Sequence, residues 1–213
     1  MTSFGGPDVS TPSWSSDSER IAFDSTAEGQ WDIYTINANG GKARRLTIDP
    51  ANDGNPSWSR DGHWVYFDSR RTGEAQVWKI PANGGGEVQV PRKGGFAPLE
   101  SADGTFLYYT KALSATSVWK VPVEGGEETQ VLKSLSFYAN MAIVRDGIYF
   151  VPTRGAKDSS IQFLNFATGK IKTIATLEKV PGVGLTVSPD GRWMLYAQID
   201  QQGRDLMLVE NFR

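Results

Sequence analysis

The sequence predicts an all-β fold: a five-bladed β-propeller of four-stranded antiparallel blades, or a fragment of a larger propeller. Three observations carry this reading. Pro12–Ser25 reads PSWSSDSERIAFDS and Pro56–Ser69 reads PSWSRDGHWVYFDS, identical at eight of fourteen positions. The Asp of that phrase recurs as Asp17, Asp61, Asp103, Asp146 and Asp190, at spacings of 44, 42, 43 and 44. No segment shows the 3.6-residue apolar periodicity of a surface helix. Short strands repeating with a period in the low forties make a propeller blade. A β-sandwich has no need of five copies of one phrase.

Each copy has the same internal order. A short first strand, such as PSWS, runs into the Asp anchor. Four anchors are followed by glycine (Gly62, Gly104, Gly147, Gly191) and the first by Ser18. The pair predicts a tight reversal, because glycine reaches positive φ without steric cost. The second strands read IAFDS, VYFDS, LYYTK, IYFVP and LYAQI. The third strands read DIYTIN, VWKIPA, VWKVPV, IQFLNF and LMLVEN. Glycine turns such as ANGGK and VEGGEE lead to fourth strands ARRLT, EVQV, ETQVL and IKTIA. These runs are β-branched and aromatic, and turn residues bound them. Near-continuous apolar runs such as VYF fit strands covered on both faces by neighbouring blades.

The expected organisation is one propeller domain over 1–213. Its repeats fall at about 12–55, 56–97, 98–140, 141–184 and 185–213, after a strand remnant at 1–11. Met1-Thr2 aligns with Leu46-Thr47, the tail of a fourth strand. Either these residues complete the last blade and close a ring, or the chain is a piece of a longer propeller. In the second case open blade edges would favour self-association.

The phrase PSWS-x-DG, followed by I-A/Y-F-x-S, D-I-Y and GG-xxx-LT, resembles the TolB-type WD-like propeller repeats. The ending SPDGRWMLYAQIDQQGRDLMLVENFR resembles the C-terminal propeller domains of bacterial winged-helix regulators. The resemblance implies a bacterial repeat scaffold. It does not imply a chemistry, since one fold hosts many functions.

Composition excludes several classes. There are no cysteines, so disulfides and thiolate metal sites are absent. The one histidine, His63, rules out multi-histidine metal sites, and its place after a turn glycine makes it an exposed turn residue. The net charge of −2 gives no bulk attraction to nucleic acid or an anionic membrane. No apolar run approaches the roughly 20 residues of a membrane helix. The start MTSFGGPDVS lacks the basic and apolar regions of a secretory signal. A free-standing chain is therefore expected in the cytoplasm, and one belonging to a longer exported protein in the periplasm. No nucleophile elbow, HExxH, P-loop or dinucleotide fingerprint occurs, and no organic cofactor or metal is expected. DPANDGN (49–55) has calcium-loop flavour, but Ala51 replaces a ligand and Arg60 stands where a bidentate glutamate belongs. It reads as a polar turn.

Two features bear on function. The position occupied by Trp14 and Trp58 continues as Glu100, Ile143 and Val187. The tryptophans read as inter-blade packing. Glu100 is costly there unless paired or wet. Its expected partners are Lys111, Tyr108 or Tyr109; the functional alternative is a channel-facing carboxylate open to a ligand cation. Second, the loops between strands two and three, and those entering each first strand, share one face. They carry Arg70, Arg71, Lys111, Phe96, Phe137, Tyr138, Asn140, Arg154 and Val180. Aromatic and arginine side chains on a polar rim suit binding. The leading expectation is a noncatalytic module binding a protein, a peptide or a small ligand on that face. The alternative is a hydrolase, glycosidase or lactonase using Glu100 with Asp24 or Asp68, which requires two carboxylates held across a substrate. Asp24 and Asp68 recur, however, within a repeated FDS element, which suggests a loop-anchoring role.

Overall fold

The computed structural model of the protein describes residues 6–90, 94–153, 159–188, 190–200 and 203–210, with the backbone alone at 200 and 203–210. Among them there are nineteen β-strands and no helix. Blade 1 is β1 (Val9–Trp14), β2 (Arg20–Ser25), β3 (Asp32–Asn37) and β4 (Arg44–Arg45). Blade 2 is β5 (Asp53–Trp58), β6 (Trp64–Thr72), β7 (Glu74–Pro81) and β8 (Val88–Gln89). Blade 3 is β9 (Phe96–Glu100), β10 (Phe106–Thr110), β11 (Ser114–Pro122) and β12 (Thr129–Phe137). Blade 4 is β13 (Met141–Val144), β14 (Gly147–Phe150), β15 (Ser160–Asn165) and β16 (Ile171–Thr176). A smaller fifth sheet holds β17 (Pro181–Val187), β18 (Trp193–Asp200) and β19 (Gly203–Glu210). The strands in each sheet follow chain order and the paired strands are antiparallel, which is the up-and-down order of propeller blades. Met1-Thr2, the proposed remnant of a fourth strand, lies outside the described residues.

The chain divides into two compact units: Met1–Lys111 with Trp119–Thr129, and Ala112–Val118 with Gln130–Arg213. In the first, Ala22, Ile33, Trp58, Val65, Phe67 and Ile80 pack between blades 1 and 2. Tyr66, Val77, Leu107, Tyr109 and Val121 pack between blades 2 and 3. In the second unit, Val151, Ile161, Leu177, Leu185, Met194 and Tyr196 form the core.

The repeated phrase makes a repeated turn. Asp17, Asp61, Asp103 and Asp190 each accept a hydrogen bond from the serine two residues before, at 2.5–2.6 Å. Each also accepts the N–H two residues after. Gly62, Gly104 and Gly191 have φ of 71°, 72° and 66°, as expected, and Ser18 takes φ 60° in the glycine's place. Blade 4 departs from the pattern. It has no such serine, and Val144 pairs directly with Gly147 across Arg145-Asp146. Gly147 is needed for space instead, because a Cβ there would stand 2.0 Å from the Leu164 carbonyl oxygen.

The tryptophan position splits. Trp58 is buried, its Nε1–H donates to the Ser13 carbonyl at 3.0 Å, and the Arg20 guanidinium lies over its ring. That is the expected inter-blade contact. Trp14 differs, at 58% exposed, so it does not pack as expected.

Candidate functional site

Every first strand except that of blade 4 carries a register shift near its start. Six residues before each anchor stand Thr11, Asn55, Ala97, Asn140 and Gly184. Thr11, Asn55 and Ala97 have φ of 38°, 53° and 49°, and Gly184 has φ 125°. A bulge with left-handed backbone leaves an N–H unpaired within its own sheet. The preceding blade supplies the acceptor. Asp24 Oδ2 accepts from Asn55 N at 3.2 Å, and Asp68 Oδ2 from Ala97 N at 3.0 Å. Asp68 Oδ2 also accepts from Asn55 Nδ2 at 2.8 Å. In the second unit Asn140 does the same work: its Oδ1 accepts from Gly184 N at 2.7 Å and its Nδ2 donates to the Gly182 carbonyl. The repeated FDS element is therefore an inter-blade latch.

These latches sit in dry surroundings. Burial pushes the Asp24 carboxyl up, against its hydrogen bonds. Burial pushes Asp68 up to about 7, with Asp24 and Asp53 adding like-charge repulsion. Asp53 is fully buried and also pushed up, but Arg71 reaches both of its oxygens, at 3.1 and 2.9 Å. Arg71 is further paired with Glu87, bonded to Ser69 Oγ and stacked over Trp78. It is an interior strut, although the sequence places it on a binding rim. Asn140, expected on the same rim, is buried in its latch.

The other predicted residues fall in different places. Arg70 is exposed, with its guanidinium 5.8 Å from the Phe96 ring, itself half-buried. Lys111 pairs with Glu128 and lies over Trp119, so it is not the partner of Glu100. Arg154 lies outside the described residues. Glu100 is buried against blade 2 at the Asp-Gly turn end, away from the strand-two/three loops. Its Oε1 accepts from Arg60 N at 3.2 Å, and the Tyr66 hydroxyl stands beside the same carboxyl. Burial pushes its carboxyl up. Glu100 pairs with Leu107 across its own hairpin, while its carboxyl turns onto Arg60 and Tyr66 of the preceding blade rather than to Lys111.

The second unit carries a feature only partly legible from sequence. Leu113, Phe137, Val180, Val183 and Ile199 are each more than a third exposed. All lie where second strands end, third strands begin or first strands are entered. Tyr138 N donates to the Leu113 carbonyl, Ile199 N to the Val180 carbonyl and Leu185 N to the Ala139 carbonyl, all near 3 Å. With the Asn140 latch, these bonds tie the loops into one apolar rim. The sequence reading had Phe137-Tyr138 and Val180 on this face but passed over Leu113, Val183 and Ile199. The signal was there: single large apolar residues inside otherwise polar loops.

The family model for the TolB beta propeller domain matches residues 1–116. The chain belongs to that family. No curated protein matches the chain. TolB from Acinetobacter baumannii is similar in structure, with a TM-score of 0.79 at 18% identity over 95% of this chain. The match covers 52% of that protein, so this chain spans about half its length. A chain of the nidogen–laminin complex matches with a TM-score of 0.70 at 11% identity, over 92% of this chain and 74% of that one. Puromycin hydrolase matches with a TM-score of 0.64 at 17% identity, over 90% of this chain and 33% of that one. At these identities the likeness is one of fold.

Proposed function

We propose that this TolB-type propeller is a noncatalytic binding module that takes a protein or peptide segment on the loop rim of its second unit. The carrying observation is the apolar rim of Leu113, Phe137, Val180, Val183 and Ile199. Contiguous exposed apolar surface on a soluble domain marks an interaction site. Covering one such side chain fully is worth about 1.5–3 kcal/mol. The partner is a segment presenting two or more apolar side chains. The likeness to a chain of the nidogen–laminin complex is in keeping with this use of the fold.

The carboxylates that a hydrolase reading needs are otherwise engaged. Asp24 and Asp68 hold the next blade's first strand, and Glu100 lies at the other strand ends. This favours binding over acid–base chemistry.

The test is a peptide-display selection on the wild-type chain, followed by interferometry of the enriched peptides. Leu113→Asp and Val180→Asp are expected to weaken them at least 30-fold. Val88→Asp, at an exposed apolar site on the first unit, is expected to leave them unchanged. Peptides insensitive to both rim variants would overturn the reading.

A further inference from the structure

Blade 1 turns to solvent a face that blade 2 buries. Val9–Trp14 of β1 aligns with Asp53–Trp58 of β5. Pro56, Ser57 and Trp58 are buried, whereas Pro12 and Trp14 are exposed and Ser13 is half-buried. Trp58 reaches back to blade 1, donating to the Ser13 carbonyl with the Arg20 guanidinium 4.5 Å from its ring centroid. Trp14 carries the same indole and makes neither contact with a described residue.

The latch is missing at the same place. Thr11 has the left-handed backbone of Asn55 and Ala97, with φ 38°. Such a bulge leaves an N–H without a partner in its own sheet. Asn55 N finds Asp24 and Ala97 N finds Asp68, each on the preceding blade. Among the described residues no carboxylate takes the Thr11 N–H. The last copy has Ala197 seven residues after its anchor, where the first two copies have Asp24 and Asp68, and offers no such oxygen.

A repeat that ends an array turns a polar face outward. Blade 1 does the reverse. It keeps the interior phrase Pro-Ser-Trp-Ser on its open side, with Val9 and Trp14 46% and 58% exposed. An exposed indole whose counterpart plugs an inter-blade contact marks a contact surface.

We propose that this face of blade 1 docks one further blade of the same repeat type, placed ahead of blade 1. That blade offers a carbonyl at the place of Ser13 to the Trp14 indole and an aspartate at the place of Asp24 to the Thr11 N–H. A second copy of this chain is the poorer occupant. Its two Asp-bearing blades already hold the blades that follow them, and its last copy lacks the aspartate. The face belongs to the first unit and does not depend on the apolar rim of the second.

The experiment lengthens the chain by one period, running Met1–Ala51 into Asp8–Arg213, so that the strand Val9–Trp14 follows a complete copy. The leading copy carries Trp14→Phe. The readout is solvent exchange of the remaining Trp14 indole N–H, assigned in the 1–213 chain through Trp14→Phe. Exchange is expected to be fast in the 1–213 chain at every protein concentration, and at least tenfold slower in the lengthened chain. Asp24→Ala in the leading copy is expected to speed it again at least threefold; no change would overturn the assignment to an Asp-bearing blade. Exchange in the lengthened chain as fast as in the 1–213 chain would overturn the proposal. So would slow exchange in the 1–213 chain: at all concentrations its own residues cover the face, and only at high concentration a second copy does. Should the lengthened chain not fold, urea midpoints of the 1–213 chain carry the test. Trp58→Ala is expected to lower the midpoint and Trp14→Ala to leave it in place, and equal losses would show Trp14 already packed and overturn the proposal.

Discussion

Asp68 shows how one repeated residue answers two demands. It must accept the Ala97 N–H to hold blade 3, and it must do so in a site dry enough to push its carboxyl up to about 7. A carboxyl raised on folding keeps a proton that the unfolded chain has lost. Its unfavourable contribution is absent below the ordinary Asp range near pH 4, grows as pH rises and is complete above about 7. Asp68→Asn keeps the acceptor for Ala97 and cannot ionise. The gain in unfolding free energy from this change is therefore expected to rise by about 2–3 kcal/mol between pH 5 and pH 8. Urea unfolding of both proteins at the two pH values measures it, and parallel pH profiles would contradict it. The sequence showed FDS as a repeated loop-anchoring element but not what it anchors. The partner is a backbone N–H about thirty residues on, which has no side-chain signature. The same blindness sent Glu100 to Lys111, its neighbour across the hairpin. The true contacts, Arg60 and Tyr66, lie one repeat earlier.

At the scale of elements, strands and turns were largely legible, because alternating turn residues and β-branched runs are local properties. The bulges were not. Ala97 adopts φ 49° although alanine has no affinity for that region, since the Asp68 latch fixes the backbone there. Ala97→Gly is expected to stabilise the chain by about 0.5–1 kcal/mol. The opposite change at Gly147 is expected to cost more than about 3 kcal/mol, since the added Cβ meets the Leu164 carbonyl. Thermal unfolding of the two variants separates the cases. Equal effects would mean that backbone conformation, not space, governs both glycine and bulge positions. Blade 4 lacks the serine of the other copies for a structural reason. Its two-residue hairpin has no use for the serine that the other turns require.

For the whole molecule, the period alone was enough to read the blade type, and the family match agrees with it. The apolar rim was harder to see, because it assembles from loops far apart in sequence. Repeat arrays couple mainly between neighbours. Trp58→Ala, which empties the contact between blades 1 and 2, is expected to lower amide protection in β1–β8 while leaving β13–β16 unchanged. Hydrogen exchange followed by mass spectrometry reads this directly. Uniform loss of protection would instead mean that the two units unfold as one. The latch has one more consequence. Every turn but that of blade 4 is closed by its own serine and aspartate, and the latches seen here reach only the next copy. Duplicating or deleting one period in the gene therefore recreates the same junction on both sides of the cut. Lineages can change the number of copies in a single recombination event without inventing a new contact, and neighbours that still share a phrase, such as the first two copies here, are what a duplication would leave behind.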